Sequence, residues 1–366
     1  AMTLLLPGSR KYPAIDDHSL IMENLTGKTA LIIGPGIGTA EATRKLVFDT
    51  AEKMNYKQNR LALALKSGRS NNVGVIVPHI NRTFFSNVIR GIEEELQDHG
   101  YHVIICQSYN DETREIENLN TLLNAQVDGI LMSISNGSSN FDEIIKRILS
   151  KNVPLIFFDR KKDIKGVSSV TINDFDGGYQ ATQHLINEGC KKIAHLAGDR
   201  RLDIFTDRCN GYKQALLDNG FEINENYIIE TKSKIEEGKD VVKKLLKLKN
   251  PPDAIFSSSD WVALGAIQEL RSKGIKMPDD FCVVGFSNEP FTKFMELSIT
   301  SIDQSPLEMG KITAQVFLEQ IQDAGKIKIE KKVVLPPKLH VRKSSSRKKK
   351  AAPTAKPKVL VSKKSA

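Results

Sequence analysis

Thr43 to Pro78 reads TRKLVFDTAEKMNYKQNRLALALKSGRSNNVGVIVP and welds a small helical module to the first strand of an α/β domain. Leu46, Val47, Ala51 and Met54 recur at helical spacing, and Asn55 and Tyr56 break that pattern before a second short helical run with Leu61, Leu63 and Leu65. Val73–Val77 then reads as a buried strand, an apolar run closed by Pro78. Between the two lies the polar tether Ser67-Gly68-Arg69-Ser70.

Beyond the tether the chain settles into a repeated rhythm of apolar strands and amphipathic segments. Strands are expected at Val73–Val77, His102–Gln107, Gly129–Met132 and Leu155–Phe158, with helices near Phe84–His99, Thr113–Asn124 and Phe141–Ser150. A second half repeats the pattern. Its strands are Lys192–Ala197, Tyr227–Glu230, Ala254–Ser257 and Cys282–Phe286, and its helices lie near Asp174–Glu188, Asp207–Asn219, Ile235–Leu246 and Trp261–Lys273. Strand, helix, strand at this spacing requires right-handed crossovers, so each half is expected to be a doubly wound parallel sheet. Ligands bind such sheets at the carboxyl ends of the strands, and a cleft between the halves would collect them there.

The helix, the Tyr56-x-x-Asn59 turn, the short leucine helix, the tether and the strand ending in Pro78 together resemble the LacI/GalR (lactose-repressor) family of transcription regulators, a resemblance that runs from about residue 43 to 342. It implies two periplasmic-binding-protein-like subdomains, a homodimer, a sugar-like effector in the cleft, and DNA as partner. The implied organisation is an atypical segment 1–42, a DNA-binding helix remnant and hinge helix 43–70, and an effector-binding domain 71–341. Within that domain an N-subdomain spans about 71–170 and 302–330 and a C-subdomain about 173–300 and 333–341, with crossings near Ser169–Asn173, Ser301–Gln304 and Lys331–Leu335. Asn59 to Leu65 aligns with the family's hinge helix, and Leu65 holds the place of the leucine that wedges into the minor groove. Tyr56, Asn59 and Arg60 complete the implied DNA contacts; the plain alternative is a linker helix docked on its own domain.

Candidate ligand groups follow the strands. Asn81, Phe84 and Phe85 come after the first strand, Ser108 after the second and Asp159 after the fourth. Asp199, Arg208, Ser259, Asp260 and Asn288 take equivalent places in the second half, and Gln304, at the second crossing, joins the candidate set. Arg208, in TDRCNGYKQAL, matches the family's effector-contacting arginine, where a guanidinium clamps paired hydroxyls or a carboxylate; a surface ion pair is the other reading. Asp159 can accept from sugar hydroxyls or partner Arg160. Asp260 is expected to cap the helix that follows, and Phe84 with Phe85 to offer an aromatic wall, one of them belonging to the core. Ser259 and the Ser287-Asn288 pair depart from the family's usual Asn-Asp and Asp-Asp, which leaves the effector's identity open.

The family's helix-turn-helix should precede Thr43, yet residues 24–42 read NLTGKTALIIGPGIGTAEA. Thr29–Ile33 is a strand pattern, and Gly34, Pro35, Gly36 and Gly38 would break a recognition helix. This short run resembles the opening of a short-chain dehydrogenase, and a fusion or rearrangement that lost the first two DNA-reading helices accounts for it. An NAD-dependent oxidoreductase would need a second strand ending in an acidic ribose-binding residue, and the regulator's helix follows instead. No cofactor or metal is expected and no enzymatic activity. A solute-binding protein of the periplasmic sugar-binding type shares the cleft but needs an export signal and no hinge helix.

Composition narrows the rest. The net charge of +9 over 366 residues misleads, because Arg342 to Ala366 holds ten Lys or Arg and no Asp or Glu; without those ten charges the chain stands at −1. This tail carries too little apolar residue to fold and is expected to be disordered and to bind polyanions or aid solubility. Leu4-Leu5-Leu6 is cut by Pro7 before a signal peptide could form, and no run reaches membrane-span length, so a cytoplasmic location with no membrane contact is expected. Cys106, Cys190, Cys209 and Cys282 lie far apart without metal spacing and read as reduced, mostly buried thiols.

Overall fold

Strand segments such as Gly129–Met132 and Leu155–Phe158 are apolar throughout because both of their faces are covered, the mark of a parallel sheet with helices on each side. The structure is a computed structural model that describes residues 68–135, 141–322 and 330–347, together with Lys45, Asp49, Glu52 and Lys53. These four are helical and exposed and belong to a unit, residues 1–70, separate from the unit that begins at Asn71. The glycine segment 34–38 and the hinge residues Tyr56, Asn59, Arg60 and Leu65 lie outside the described residues.

In the larger unit the first lobe runs β1 (Asn72–Val77), α1 (Thr83–Gln97), β2 (His102–Gln107), α2 (Glu112–Asn124), β3 (Gly129–Met132), α3 (Phe141–Ser150), β4 (Leu155–Phe158) and β5 (Ser168–Ile172). The second lobe follows with α4 (Asp174–Asn187), β6 (Ile193–Ala197), α5 (Asp203–Asp218), β7 (Ile228–Glu230), α6 (Ile235–Leu245), β8 (Ala254–Ser257), α7 (Asp260–Ser272), β9 (Cys282–Phe286), the short α8 (Phe291–Phe294) and β10 (Thr300–Asp303). The chain then returns to lobe one through α9 (Pro306–Gln322) and β11 (Lys332–Leu335), and ends in lobe two with β12 (Lys338–His340). The sheets have the orders β11-β5-β4-β3-β1-β2 and β12-β10-β9-β8-β6-β7. Every pairing is parallel except β10 with β12.

The pairings move the crossings expected from sequence. Thr171 and Ile172 still belong to β5 in lobe one, and Ile302 and Asp303 pair within lobe two. Lys332–Leu335 lies beside β5 rather than in the second lobe, so the third crossing falls at Pro336-Pro337. Proline has no N–H to continue a ladder, which is why the strand stops there. Polar SSVTI hid β5 from the strand reading, although all five residues are buried.

The helices pack closely through glycine. A Cβ at Gly91 of α1 would sit 2.2 Å from the Leu307 carbonyl oxygen, and one at Gly310 of α9 would sit 2.1 Å from that of Val88. These contacts bind the returning α9 to α1, so the N- and C-terminal portions of lobe one share a core.

The chain from Arg342 to Arg347 is not a free tail. Ser344 and Ser345 are fully buried: Ser344 Oγ donates to the Val283 carbonyl at 2.6 Å and accepts from Thr300 N–H at 2.9 Å. Arg342 donates to the Ile299 carbonyl at 2.7 Å and to Asn288 Oδ1 at 2.6 Å, and Arg347 Nε donates to the Pro278 carbonyl at 3.0 Å. The segment straps β9 to β10, because small hydroxyl side chains can be buried wherever backbone partners await them.

His195 of β6 is wholly buried, stacked on Phe256 at 4.6 Å and Tyr212 at 5.1 Å, with Nδ1 at 3.1 Å from the Phe256 carbonyl. Burial holds its pKa down to about 3, against an ordinary 6.5. A depressed histidine contributes stability that is whole above pH 6.5 and is lost as pH falls below it, by up to about 1.4 kcal/mol per pH unit. His195→Phe, which keeps the stack but removes the titration, is expected to lose less stability than the parent between pH 6.5 and about 5. Urea midpoints across that range check this, and parallel curves would assign the acid sensitivity elsewhere.

Candidate functional site

The carboxyl ends of β1, β3 and β4 face the region where the chain crosses to the ends of β6, β8 and β9, and polar side chains gather there. At its centre is Arg208, 3% exposed although it carries a full charge. Nε donates to Asp174 Oδ1 at 2.7 Å, Nη1 to the Ser258 carbonyl at 3.1 Å and Nη2 to Gln304 Oε1 at 3.3 Å. Its guanidinium carbon lies 3.6 Å from the centre of the Phe286 ring, a cation–π contact made strong by burial. Arg208 is thus a buried ion pair and not the surface bridge weighed from sequence. Asp174 is the partner that sequence reading missed; only its place directly after a crossing marked it. Burial pushes its carboxyl up to about 7, with Arg208 pulling in the opposite sense.

Gln304 is also buried and bridges Arg208 to Ser287 Oγ, to which its Nε2 donates at 3.0 Å. On the lobe-one side Asp159 is 7% exposed, accepts from Ser133 Oγ at 3.0 Å and stands 3.6 Å from Arg160 Nε. Burial raises its pKa, and the Arg160 and Arg208 guanidiniums oppose that rise. Arg160 Nη1 donates to Asn110 Oδ1 at 2.7 Å, and Asn110 Nδ2 lies 3.1 Å from His79 Nε2. Asp159 holds φ at +61° and Asn288 at +50°, so the residues just past β4 and β9 sit in the left-handed region that non-glycine residues rarely adopt.

Several expected site residues take other duties. Asp260 does not cap α7, whose N-cap is Ser259 and lacks a side-chain bond. Its buried carboxylate accepts from Glu289 N–H at 2.8 Å and Ser301 Oγ at 2.7 Å, because those donors arrive from the loop after β9 and from β10, which the sequence around residue 260 does not show. Burial pushes its carboxyl up to about 7. Phe84 and Phe85 are both in the core, edge to face at 5.1 Å, so the pair forms no open aromatic wall. Asn81 is exposed in the turn before α1. Asn288 donates to Asp303 Oδ2 at 2.8 Å while accepting from Arg342. Ser108 is buried, and its hydroxyl has no hydrogen-bond partner.

Arg82, not among the residues singled out from sequence, meets two residues of lobe two across the cleft. Arg82 Nη2 reaches the Ser233 carbonyl of lobe two at 3.5 Å, and its guanidinium carbon lies 5.4 Å from the Trp261 ring centre. A cavity of about 60 Å³ remains between the lobes, lined by Asp159, Arg160, Asp174, Ile204 and Asp207 among others. A wider hollow of about 580 Å³ lies on lobe two alone, where Arg200 pairs with Glu230 at 2.9 Å and Arg201 with Asp199 at 2.6 Å.

Two doubly wound lobes, three crossings and a polar cleft at the strand ends define a two-lobed small-molecule-binding domain. Residues 70–338 match the family model described as periplasmic binding proteins and sugar binding domain of LacI family. The HTH-type transcriptional regulator DegA of Bacillus subtilis (strain 168) is 33% identical over 307 residues, covering 84% of this chain and 90% of that protein. The regulator CelR in complex with cellobiose superposes with a TM-score of 0.68 at 27% identity, over 85% of this chain and 93% of the other. A LacI family regulator from Enterococcus faecium with bound ribose gives 0.67 at 28% identity, over 75% and 98%. The chain belongs to the LacI family of transcription regulators.

Removing one member of a buried ion pair strands the other, at a cost of about 3–5 kcal/mol, whereas removing both costs far less. Arg208→Met is therefore expected to destabilise the fold by that amount, and Arg208→Met with Asp174→Leu to recover at least half. Denaturant unfolding of both single variants and the double variant measures the coupling; simple additivity would mean the two side chains act independently.

Proposed function

We propose that this regulator takes a sugar-like effector into the cleft between its lobes and that the effector alters how paired hinge regions meet DNA. The observation that carries the reading is the convergence of Arg208, Gln304, Asp159 and Ser108 at the strand ends of both lobes, in a family whose solved members hold cellobiose and ribose. The effector's hydroxyls would compete for donors and acceptors that Arg208 and Asp159 now spend on neighbouring protein groups. Trp261, the sole tryptophan, lies at the cleft against Arg82 and reports closure. Titrating its fluorescence with a panel of mono- and disaccharides is expected to give a saturable change for at least one. Arg208→Lys should weaken that response by about 1.5–3 kcal/mol, since lysine keeps the charge but loses the fork. A panel without any saturable change sinks the reading.

DNA would be held by Tyr56, Asn59, Arg60 and Leu65 of two hinge helices, in a cytoplasmic homodimer. Support for a dimer comes from apolar side chains left in solvent: Phe294 is 85% exposed, and Ile105, on the edge strand β2, 43%. No helix of the described residues is long and apolar enough to cross a membrane. Beyond Arg347 the sequence adds seven lysines and no acid, a further phosphate-binding element. Sedimentation of the full chain is expected to give twice 40.7 kDa. Removal of residues 348–366 should lower the slope of log affinity against log salt on any duplex by up to about 6, if every lysine meets a phosphate. A monomer at tens of micromolar rules out paired hinges, and an unchanged slope removes the tail from the DNA.

A further inference from the structure

Two of the three guanidiniums that line the cleft are paired with a carboxylate and the third is not. Arg208 has Asp174 and Arg160 has Asp159, while Arg82 enters no ion pair among the described residues and holds only a long bond to a carbonyl and an aromatic face. Arg82 stands at the N-terminus of α1, a fifteen-residue helix with no side-chain cap. Across the cleft stands the N-terminus of α7, thirteen residues long and also without a side-chain cap. Both ends present unsatisfied N–H groups and the positive pole of a helix dipole. The one acid in the first turn of α7, Asp260, spends its carboxylate on Glu289 N–H and Ser301 Oγ.

The turn that leads into α7 supplies donors without acceptors. Ser258, 3% exposed, has a buried hydroxyl with no partner, and the Trp261 indole Nε1 is likewise buried and unpartnered. In lobe one the Arg160 Nε has no hydrogen-bond partner either, and Arg160 joins Asn110 and His79 in a chain beside Arg82. Burial, reinforced by the Arg82 and Arg160 guanidiniums, holds the His79 pKa down, so its ring adds no competing cation to the group. Buried donors left unmet cost free energy unless a ligand acceptor completes them, and the half-buried Arg82 guanidinium stands beside them without an ion-pair partner.

We infer that the effector carries an anionic group, a carboxylate or a phosphate, seated between Arg82 of lobe one and the Ser258–Trp261 turn of lobe two. This rests on the effector-cleft reading above and sets this chain apart from the neighbours that hold cellobiose and ribose, both uncharged sugars. The anion displaces the Ser233 carbonyl from Arg82, accepts from the guanidinium, from Trp261 Nε1 and from Ser258 Oγ, and lies on the axis of two helix N-termini. Because Arg82 and Trp261 belong to different lobes, the same group closes the cleft.

The test is calorimetry of the full chain at low salt with D-glucose, D-glucuronate and glucose 6-phosphate, and with D-ribose, D-ribonate and ribose 5-phosphate. At least one acid is expected to bind ten-fold or more tightly than its neutral parent, and the two acids of each set tell carboxylate from phosphate. Arg82→Gln should cut that preference below three-fold, and Trp261→Phe should lower it in part. Arg90→Gln, on the exposed face of α1, controls for general loss of positive charge. Neutral parents that bind as tightly as their acids, or a preference that survives Arg82→Gln, overturn the inference while leaving a sugar cleft intact. Absence of binding by every member overturns the effector reading itself and this inference with it.

Discussion

A buried guanidinium organises the cleft. Arg208 is committed to three partners drawn from three parts of the chain: Asp174 just past the first crossing, the Ser258 carbonyl at the end of β8, and Gln304 at the second crossing. A charge out of water is tolerated only where its partners are fixed, so the positions of both crossings relative to lobe two follow from satisfying this one side chain. The local packing agrees with that demand. A Cβ on Gly178 would lie 2.1 Å from the Arg208 carbonyl oxygen, so α4 approaches α5 closely enough to bring Asp174 within reach.

Lobe two closes around two further polar centres of the same kind. Asp260 ties the start of α7 to the loop after β9 and to β10, and the strap from Arg342 to Arg347 ties β9 to β10 at Val283 and Thr300. Each centre consists of buried hydrogen bonds between segments far apart in sequence, so none is satisfied unless the lobe is complete. By contrast the described contacts across the cleft are few and weak, a 3.5 Å bond and a 5.4 Å cation–π contact from Arg82. The strong polar networks lie within the cleft walls rather than across it, the distribution a domain needs if a ligand is to shift its lobes.

How much of this was legible in the sequence follows from what each feature depends on. The buried parallel strands were legible because Gly129–Met132 or Ala254–Ser257 are apolar on both faces and carry their own signal. β5 was not, since the serines and threonine of Ser168–Ile172 are buried by neighbours that composition cannot see. Arg208 could be picked out, but its commitment to Asp174 could not, because the pairing joins residues 34 positions apart. The cap expected of Asp260 is sound local chemistry overridden by tertiary donors. Basic composition made residues 342–347 read as tail, while the bonds of Ser344 and Ser345 lie in partners more than forty residues earlier in the chain.

The crossings themselves set what an effector can accomplish. Asn173, Gln304-Ser305 and Pro336-Pro337 carry the chain between lobes outside any helix or strand, and Ser305 holds a positive φ of +48°. Such short linkers let the lobes rotate about a common axis while each sheet stays whole. A ligand biases that rotation only by the difference between its affinities for the two arrangements. Contacts to Arg208 and Gln304, both fixed to lobe two, would be nearly equal in open and closed forms and would supply affinity without a switch. The differential must come from groups on opposite lobes, and among the described residues Arg82 of lobe one touches Ser233 and Trp261 of lobe two. Under the proposed effector mechanism affinity and response would then reside in different residues, and a substitution at Arg82 is expected to alter how far binding moves the lobes more than one at Gln304 does.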